Sequence, residues 1–324
     1  MPVTDAVNLV NWIPQQYGVR CRKGYRVSST GLGAPCQTIL AYQPDQQPIT
    51  GYRLFAVTDA TIFDVTTPTN APTSTLVLDD VDGYGRFSST MFTNSGGAFL
   101  LAASAGGGYF TYNGSAWVRR ESGDTPGAVG GIDPNEIVFV TSWKRRAWFI
   151  EKDSTNAWYL PTDQITGDAV KFELGPFVKR GGKLAFIVNW TIDAGEGIDD
   201  LLVFVFEGGD VLIYKGTDPA SASTFAIVGS YYIGAIPVGR RGYSAYGGDV
   251  LIISELGIQP LSYITRGGQS ILRTQATDYL NKIQPRIADL VSQLSNFNGW
   301  DITLFAKENL LIVHVPPGPT DAKD

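Results

Sequence analysis

The feature that most constrains the fold of this chain is a recurring pair of short apolar and aromatic runs joined by a turn. The runs hold mainly β-branched and aromatic residues, and the turns hold Gly, Asp, Asn or Ser, which is the pattern of a β-hairpin. Five such pairs occur, at 54–65, 99–112, 147–160, 202–214 and 250–261, and a last run covers 310–315. Corresponding positions in successive pairs lie 45, 49, 55, 48 and 59 residues apart, counted from Leu54, Phe99, Trp148, Val203, Leu251 and Leu310.

Further apolar runs lie between these hairpins, at 38–42, 75–78, 137–140, 184–188 and 225–228. A period near 40–50 residues with about four strands per repeat is typical of a β-propeller blade. We therefore predict an all-β, β-propeller-like fold of about six blades. An irregular β-sandwich whose turns fall at similar spacing is the alternative, whereas a parallel sheet would need helices that the pattern lacks.

One segment near the C-terminus breaks the strand pattern. From Ile271 to Phe297 apolar residues recur at steps of three and four, which predicts an amphipathic helical insertion over 272–297. Pro285 lies inside it and should kink or divide the helix. The helix would pack on the rim of the propeller or dock on a partner subunit, and the sequence favours neither.

The predicted domain organisation has three parts. Residues 1–36 form an N-terminal interface segment, 37–315 form the propeller-like domain with its helical insertion, and 316–324 form a Pro-rich extended tail.

Composition restricts the function classes. The 324 residues carry a net charge of -6, with 17% charged and 12% aromatic residues. This balance argues against disorder and against a broad basic face for nucleic acid. The two cysteines are too few for a disulfide framework or a four-sulfur zinc site. The N-terminus lacks a basic region followed by an apolar run, so we expect no secretion signal, no membrane insertion and a reducing cytoplasm.

No catalytic constellation is visible, so the sequence predicts no enzyme, no cofactor and no metal. His314 is the only histidine and has no nucleophile elbow beside it, so we expect a buried or half-buried structural histidine. Acidic clusters at 79–83 and 193–200 are interpreted as solvated hairpin turns, with Ca²⁺ held by loop oxygens as the alternative.

Basic residues come in small groups, most of which we assign to hairpin tips and strand edges: 119–120, 144–146, 179–180 and 240–241. The N-terminal group differs because four positive charges lie within seven residues, next to three aromatic side chains. Arginine combined with aromatic residues is the composition of a protein–protein anchor. We therefore predict a subunit interface formed by Trp12, Tyr17, Arg20, Arg22, Tyr25 and Arg26.

The same N-terminal stretch contains Asn-x-x-Pro at 11–14, followed by Gly-hydrophobic-x-x-Arg-x-Gly-Tyr-Arg at 18–26. In this order of residues the chain resembles the opening of tail nozzle or hub proteins of short-tailed bacteriophages, which are also described as stabilising packaged DNA. The residues that carry the resemblance are Asn11, Pro14, Gly18, Arg22, Gly24, Tyr25 and Arg26.

The resemblance implies a structural virion protein of the tail, assembled in the host bacterial cytoplasm. Its subunits would form a homohexameric ring below the portal and adaptor, in contact with tail fibre or needle proteins. Genomic DNA would pass through the lumen without sequence-specific binding and be retained until ejection. Six copies at -6 each give -36, and an acidic lumen would repel phosphates and let the genome slide. A closed head-to-tail ring needs two different contact faces on each subunit.

Two other functions stay open. A carbohydrate-binding or glycan-cleaving propeller, suited to recognition of a host receptor, would use tryptophans exposed in loops, with Trp117, Trp143, Trp190 and Trp300 as candidates. The repeated Ser-x-Asp-x-Gly-x-Thr-Trp boxes of propeller sialidases are absent. The third function is an interaction scaffold in a cellular complex.

Overall fold

The structure is a computed structural model that describes residues 9–15, 18–44, 51–79, 81, 83–123, 127–193, 198–265, 283–308 and 310–318. After an N-terminal hairpin of β1 (Trp12–Gln15) and β2 (Gly18–Cys21), four antiparallel sheets of four strands follow one another along the chain. The first sheet consists of β3 (Thr38–Tyr42), β4 (Arg53–Val57), β5 (Thr61–Asp64) and β6 (Thr73–Val77). The second consists of β7 (Phe87–Asn94), β8 (Gly97–Ser104), β9 (Tyr109–Tyr112) and β10 (Trp117–Arg119).

The third sheet consists of β12 (Ile137–Trp143), β13 (Arg146–Glu151), β14 (Ala157–Tyr159) and β16 (Val170–Phe172). The fourth consists of β17 (Leu184–Asp193), β18 (Ile198–Phe206), β19 (Asp210–Gly216) and β20 (Phe225–Tyr232). The two-residue strands β11 (Val129–Gly130) and β15 (Gly167–Asp168) pair in parallel beside the third sheet.

The last two sheets are smaller. The fifth has three strands, β21 (Tyr243–Tyr246), β22 (Asp249–Ser254) and β23 (Gly257–Pro260). The sixth is the hairpin of β24 (Asp301–Phe305) and β25 (Leu310–His314). Between them the described residues form two α-helices, α1 (Leu261–Thr265) and α2 (Gln284–Leu294). Neither helix described by the structure has the length and apolar character that crossing a bilayer requires.

The six sheets are arranged radially around an axis, each in contact with the next along the chain. Strand β3 contacts β7, β12 contacts β7, β17 contacts β12, β22 contacts β17, and β24 contacts β21. The first strands of the first, second and third sheets line one cavity, together with Tyr243 of the fifth sheet and Asp301 of the sixth. A meander whose first strand is innermost, repeated around an axis, is a β-propeller. The prediction of an all-β propeller-like fold of about six blades is confirmed.

Four apolar clusters fill the gaps between successive blades. One joins the first and second blades around Phe55 and Phe110, and one joins the second and third around Tyr109 and Phe149. The largest spans the third, fourth and fifth blades, and the last joins the fifth blade, α2 and the final hairpin. Strands with near-continuous apolar sequence, such as β18 and β19, lie where neighbouring blades cover both of their faces.

The predicted helix is only partly present in the described residues. Helix α2 begins at Gln284, with Pro285 in its first turn, where a missing N–H costs nothing because no intrahelical acceptor faces it. The earlier part of the predicted insertion, 272–282, lies outside the described residues. Ile287 and Val291 of α2 are buried in the same cluster as Leu251 and Ile258 of the fifth blade, so α2 packs on the propeller's own rim.

The strands near the two ends of the chain do not pair with each other in the part that the structure describes. Within the described residues β25 pairs only with β24, and β1 pairs only with β2. The contact between the two regions is ionic: Arg20 pairs with Glu308 in the turn of the last hairpin, and Lys23 Nζ lies 3.8 Å from the same carboxylate.

Candidate functional site: an exposed N-terminal arm and a basic axial cavity

The N-terminal arm, residues 9–15 and 18–30, lies outside all four apolar clusters. Its hairpin places Trp12 opposite Cys21, and the amide of Arg22 donates to the carbonyl of Asn11 at 2.8 Å to extend the pairing. Beyond the hairpin the arm runs without regular secondary structure to Thr30, where its backbone amide donates to Thr69 O of the first blade at 3.0 Å. The arm is therefore held at its two ends and touches little apolar surface between them.

The arm exposes large apolar side chains that a monomer would normally bury. Tyr25 is 81% exposed, Val10 68%, Val27 62%, Val19 50% and Trp12 47%. Burial of one such side chain stabilises an assembly by roughly 1.5–3 kcal/mol. A contiguous stretch with this much exposed apolar area is the signature of an interaction surface.

Five of the six predicted interface residues belong to this arm in the structure. Arg22 lies over the ring of Tyr25, with 5.7 Å between Cζ and the ring centroid, and Arg26 and Trp12 are exposed. Arg20 differs, because its guanidinium is paired with Glu308 of the same chain. The sixth, Tyr17, lies outside the described residues.

The other basic groups do not share one environment. Lys144 and Arg145 form the tip of the β12–β13 hairpin with φ of 46° and 60°, as expected of a tight turn. Arg119 pairs with Asp79 at 3.0 Å, and the hydrogen bond that it donates is the main reason why the pKa of Asp79 is lowered. The backbone amides of Lys179 and Arg180 donate to the buried carboxylate of Asp210 at 2.8 and 2.6 Å.

The assignment of Arg240 and Arg241 to a hairpin tip is wrong, because both side chains line the axis of the propeller. Arg241 donates to Gln37 O at 3.3 Å, to Phe87 O at 3.0 Å and to the hydroxyl of Thr38, so it links the first, second and fifth blades. Arg240 Nη1 donates to Leu184 O at 3.0 Å and to Ala185 O at 2.7 Å in the fourth blade.

We call the space in front of these arginines the axial cavity. Its volume is about 610 Å³, and its charged lining residues are Arg86, Lys152, Asp153, Lys183, Glu207, Arg240, Arg241 and Asp301. A second cavity of about 550 Å³ continues along the innermost strands behind the two arginines. Sequence reasoning missed this placement, because β21, the strand that Arg240 and Arg241 precede, lacks the apolar pattern by which a strand is recognised.

Two other expectations about side chains are wrong. Trp117, Trp143, Trp190 and Trp300, proposed as loop residues for glycan binding, are all buried in the apolar clusters. His314 is exposed at the mouth of the axial cavity instead of buried. Alternation along β25 turns Leu311 and Val313 toward the fifth blade, so His314 lies on the opposite face.

The acidic clusters give no metal site in the part of the chain that the structure describes, where no group of three or more His, Cys, Asp or Glu side chains could hold an ion. Asp79 is engaged with Arg119, while Asp80, Asp82 and residues 194–197 lie outside the described residues. Cys21 and Cys36 are both free and exposed.

Comparison with known proteins gives likeness of fold only. No known protein family and no curated protein matches the sequence. The structure of BBS1N in complex with ARL6DN is similar over 75% of this chain and 67% of its own, with 11% identity and a TM-score of 0.43. A Bacteroides fragilis protein provisionally assigned as a 6-phosphogluconolactonase matches over 77% and 78%, with 14% identity and a TM-score of 0.41. YCF48 from Cyanidioschyzon merolae matches over 67% and 71%, with 11% identity and a TM-score of 0.34. Likeness this distant transfers no functional property to this chain.

Proposed function

We propose that this protein is a structural subunit that assembles through its N-terminal arm into a ring, as the nozzle or hub of a short-tailed bacteriophage tail. The observation that carries the proposal is the arm itself: it lies outside the core, yet it exposes Trp12, Tyr25 and three valines beside a cluster of arginines. In this role the protein works by shape and assembly, without catalysis.

The chemistry of the arm suits a contact between subunits. Arg22 stacked over Tyr25 forms a pre-organised amphipathic anchor, and aromatic and arginine side chains supply most hot-spot energy in interfaces. A neighbouring copy with its net charge of -6 offers acidic surface to the arm's positive charges. A head-to-tail contact would place the arm of one subunit on a different face of the next, which closes a ring without exposing a free arm.

The test is the mass of the particle in solution, alone and mixed with the adaptor of the same tail. The triple variant Arg22→Ala, Tyr25→Ala and Arg26→Ala should impair ring or tail assembly and leave the monomer folded, because these side chains contribute nothing to the core. Light scattering coupled to size exclusion measures the mass, and circular dichroism checks the fold.

A matched control replaces three exposed residues on the outer strand of the third blade and the loop after it, Val170, Lys171 and Glu173, by Ala. This control should assemble like the unmodified protein. A particle that stays strictly monomeric even with its adaptor would contradict the proposal, and unchanged assembly of the arm variant would remove the arm as its anchor.

A further inference from the structure

We propose that the axial cavity is a binding site for a small polyanion that carries phosphate or carboxylate groups. The site is separate from the arm, none of whose residues lines it. It therefore stands or falls independently of ring assembly.

The topology brings basic side chains from four blades, the second to the fifth, to one end of the axis. In an antiparallel meander, the start of the first strand and the turn between the second and third strands lie at the same end of the blade. Arg86, Lys183 and Arg241 precede or approach first strands, and Lys152 lies in a turn between second and third strands. With Arg240 they give five positive charges against three carboxylates, those of Asp153, Glu207 and Asp301. The cavity thus carries net positive charge in a protein whose overall charge is -6.

The two arginines on the axis have only neutral partners. All hydrogen bonds found for Arg240 and Arg241 end on backbone carbonyls or on the Thr38 hydroxyl, and neither forms an ion pair with a residue that the structure describes. Both side chains are partly buried, and burial lowers the pKa of Arg240 to about 10, although Glu207 and Asp153 oppose the shift. A partly buried guanidinium without a carboxylate partner is stabilised by an anion placed beside it.

The chemical class of the ligand follows from the donors and the space. Guanidinium groups present donors in a planar fork that fits phosphate and carboxylate oxygens. Lys152, whose Nζ donates to Gly106 O at 3.2 Å, adds a point charge at the exposed mouth. A volume of about 610 Å³ falls in the range of small-molecule sites and exceeds the needs of a single inorganic ion. Lys183 Nζ lies 2.7 Å from Asp153 Oδ1, so these two charges compensate each other. The excess positive charge of the cavity therefore lies toward the arginines.

The experiment measures binding of pyrophosphate to the full chain by calorimetry and by the shift in melting temperature, at constant ionic strength adjusted with chloride. Inorganic phosphate and citrate serve as second probes that separate phosphate from carboxylate preference. Pyrophosphate is expected to bind with one site per chain and to raise the melting temperature, as any ligand of the native state does.

Two variants of opposite sign test where it binds. Lys152→Gln removes a positive charge from the mouth and should weaken binding about five-fold, whereas Glu207→Gln removes a negative charge and should tighten it by a similar factor. Lys171→Gln is the matched control, since Lys171 lies on the outer strand of the third blade beside Glu173 and should leave the affinity unchanged. Arg240→Gln should abolish binding. If the Arg240→Gln variant does not fold, the Lys152 and Glu207 variants still test whether the ligand binds in the axial cavity.

Absence of binding by all three probes at millimolar concentration would overturn the proposal. Binding that Lys152→Gln and Glu207→Gln leave unchanged, or move in the same direction, would also overturn it, because the ligand would then lie elsewhere on the molecule.

Discussion

At the scale of single residues, hydrogen bonds between polar groups connect separate blades at the axis of the propeller. Arg241 ties the fifth blade to the first and second, and Thr38 Oγ1 also donates to Gly85 O at 2.6 Å and accepts from the amide of Phe87 at 3.0 Å. Tyr243, at the start of the fifth blade, stacks on Phe186 with 4.7 Å between ring centroids. Burial, helped by the charge of Asp301, raises the pKa of Tyr243 to about 12.

The raised pKa of Tyr243 predicts a loss of stability in alkali. Between pH 10 and pH 12 the folded protein keeps this proton while the unfolded chain releases it, so the free energy of unfolding falls as pH rises, by about 1.4 kcal/mol per pH unit from this group. Urea denaturation measures the free energy of unfolding at each pH. Between pH 10 and pH 12 it should fall less for Tyr243→Phe than for the unmodified protein. The comparison cancels other titrating groups, including Arg240, whose lowered pKa acts in the opposite direction. Parallel pH profiles for the two proteins would contradict this prediction.

At the scale of elements, the fifth blade shows how a helix takes the place of a strand. Among the described residues its outermost strand β23 has no fourth strand beside it, and the side chain of Gln284 at the start of α2 forms hydrogen bonds with this edge. The amide of Ile258 donates to Gln284 Oε1 at 2.8 Å, and Gln284 Nε2 donates to Ile258 O. Gly257 is in the left-handed region at φ 99°, and a Cβ there would collide with Gln284 Oε1, so the close approach needs a glycine.

Replacement of Gln284 by Ala should therefore destabilise the protein by about 1–3 kcal/mol, because Ile258 N and O would lose their partner at a partly buried edge. Chemical denaturation measures the change. Gln293→Ala, at an exposed position of the same helix, is the control and should change stability by less than about 0.5 kcal/mol. Equal effects of the two variants would mean that Gln284 does not cap the sheet edge.

Strands could be predicted from the sequence where their side chains are buried, because burial requires a run of apolar residues. The predicted runs 38–42 and 109–112 coincide with β3 and β9, and the hairpins of the third and fourth blades match within a few residues. Strands β7 and β21 were missed, since their sequences are rich in Ser, Thr and Tyr. Both are innermost strands that border the axis, where one face meets the cavity and little apolar surface is required. The position of Arg240 and Arg241 in the candidate site was also unpredictable, because the axis brings together segments from distant parts of the chain.

At the scale of the whole molecule, the last hairpin should contribute much to the free energy of unfolding and the arm little. The last hairpin supplies Trp300 and Ile302 to the fourth apolar cluster, with Leu311, Val313 and Val315 packed against it. The arm contributes to no cluster and meets the body of the protein mainly through Arg20, Glu308 and the region of Thr30.

Two deletions measure this difference. Removal of residues 1–28 should change the free energy of unfolding by no more than about 1 kcal/mol, because surface ion pairs contribute about 0–1 kcal/mol. Removal of 300–315 should abolish cooperative folding, because it exposes the apolar faces of the fifth blade and α2. Thermal and urea denaturation report both results. A stable truncation lacking 300–315, or an unfolded protein lacking 1–28, would show that this division is wrong.

The apolar layers of the described residues stop short of one boundary, the one between the sixth and first blades. Ile39 on the first blade and Phe305 and Ile312 on the sixth are exposed, and no apolar cluster joins these two blades. The first blade is tied to the closing end of the chain by the hydrogen bond that Arg241 of the fifth blade donates to Gln37 O. Water can replace such bonds at small cost. The propeller should therefore open first between the sixth and first blades when it is heated or put under mechanical load. Amide exchange would then be fastest along β3 and β25, while the apolar contacts between the other blades stay closed.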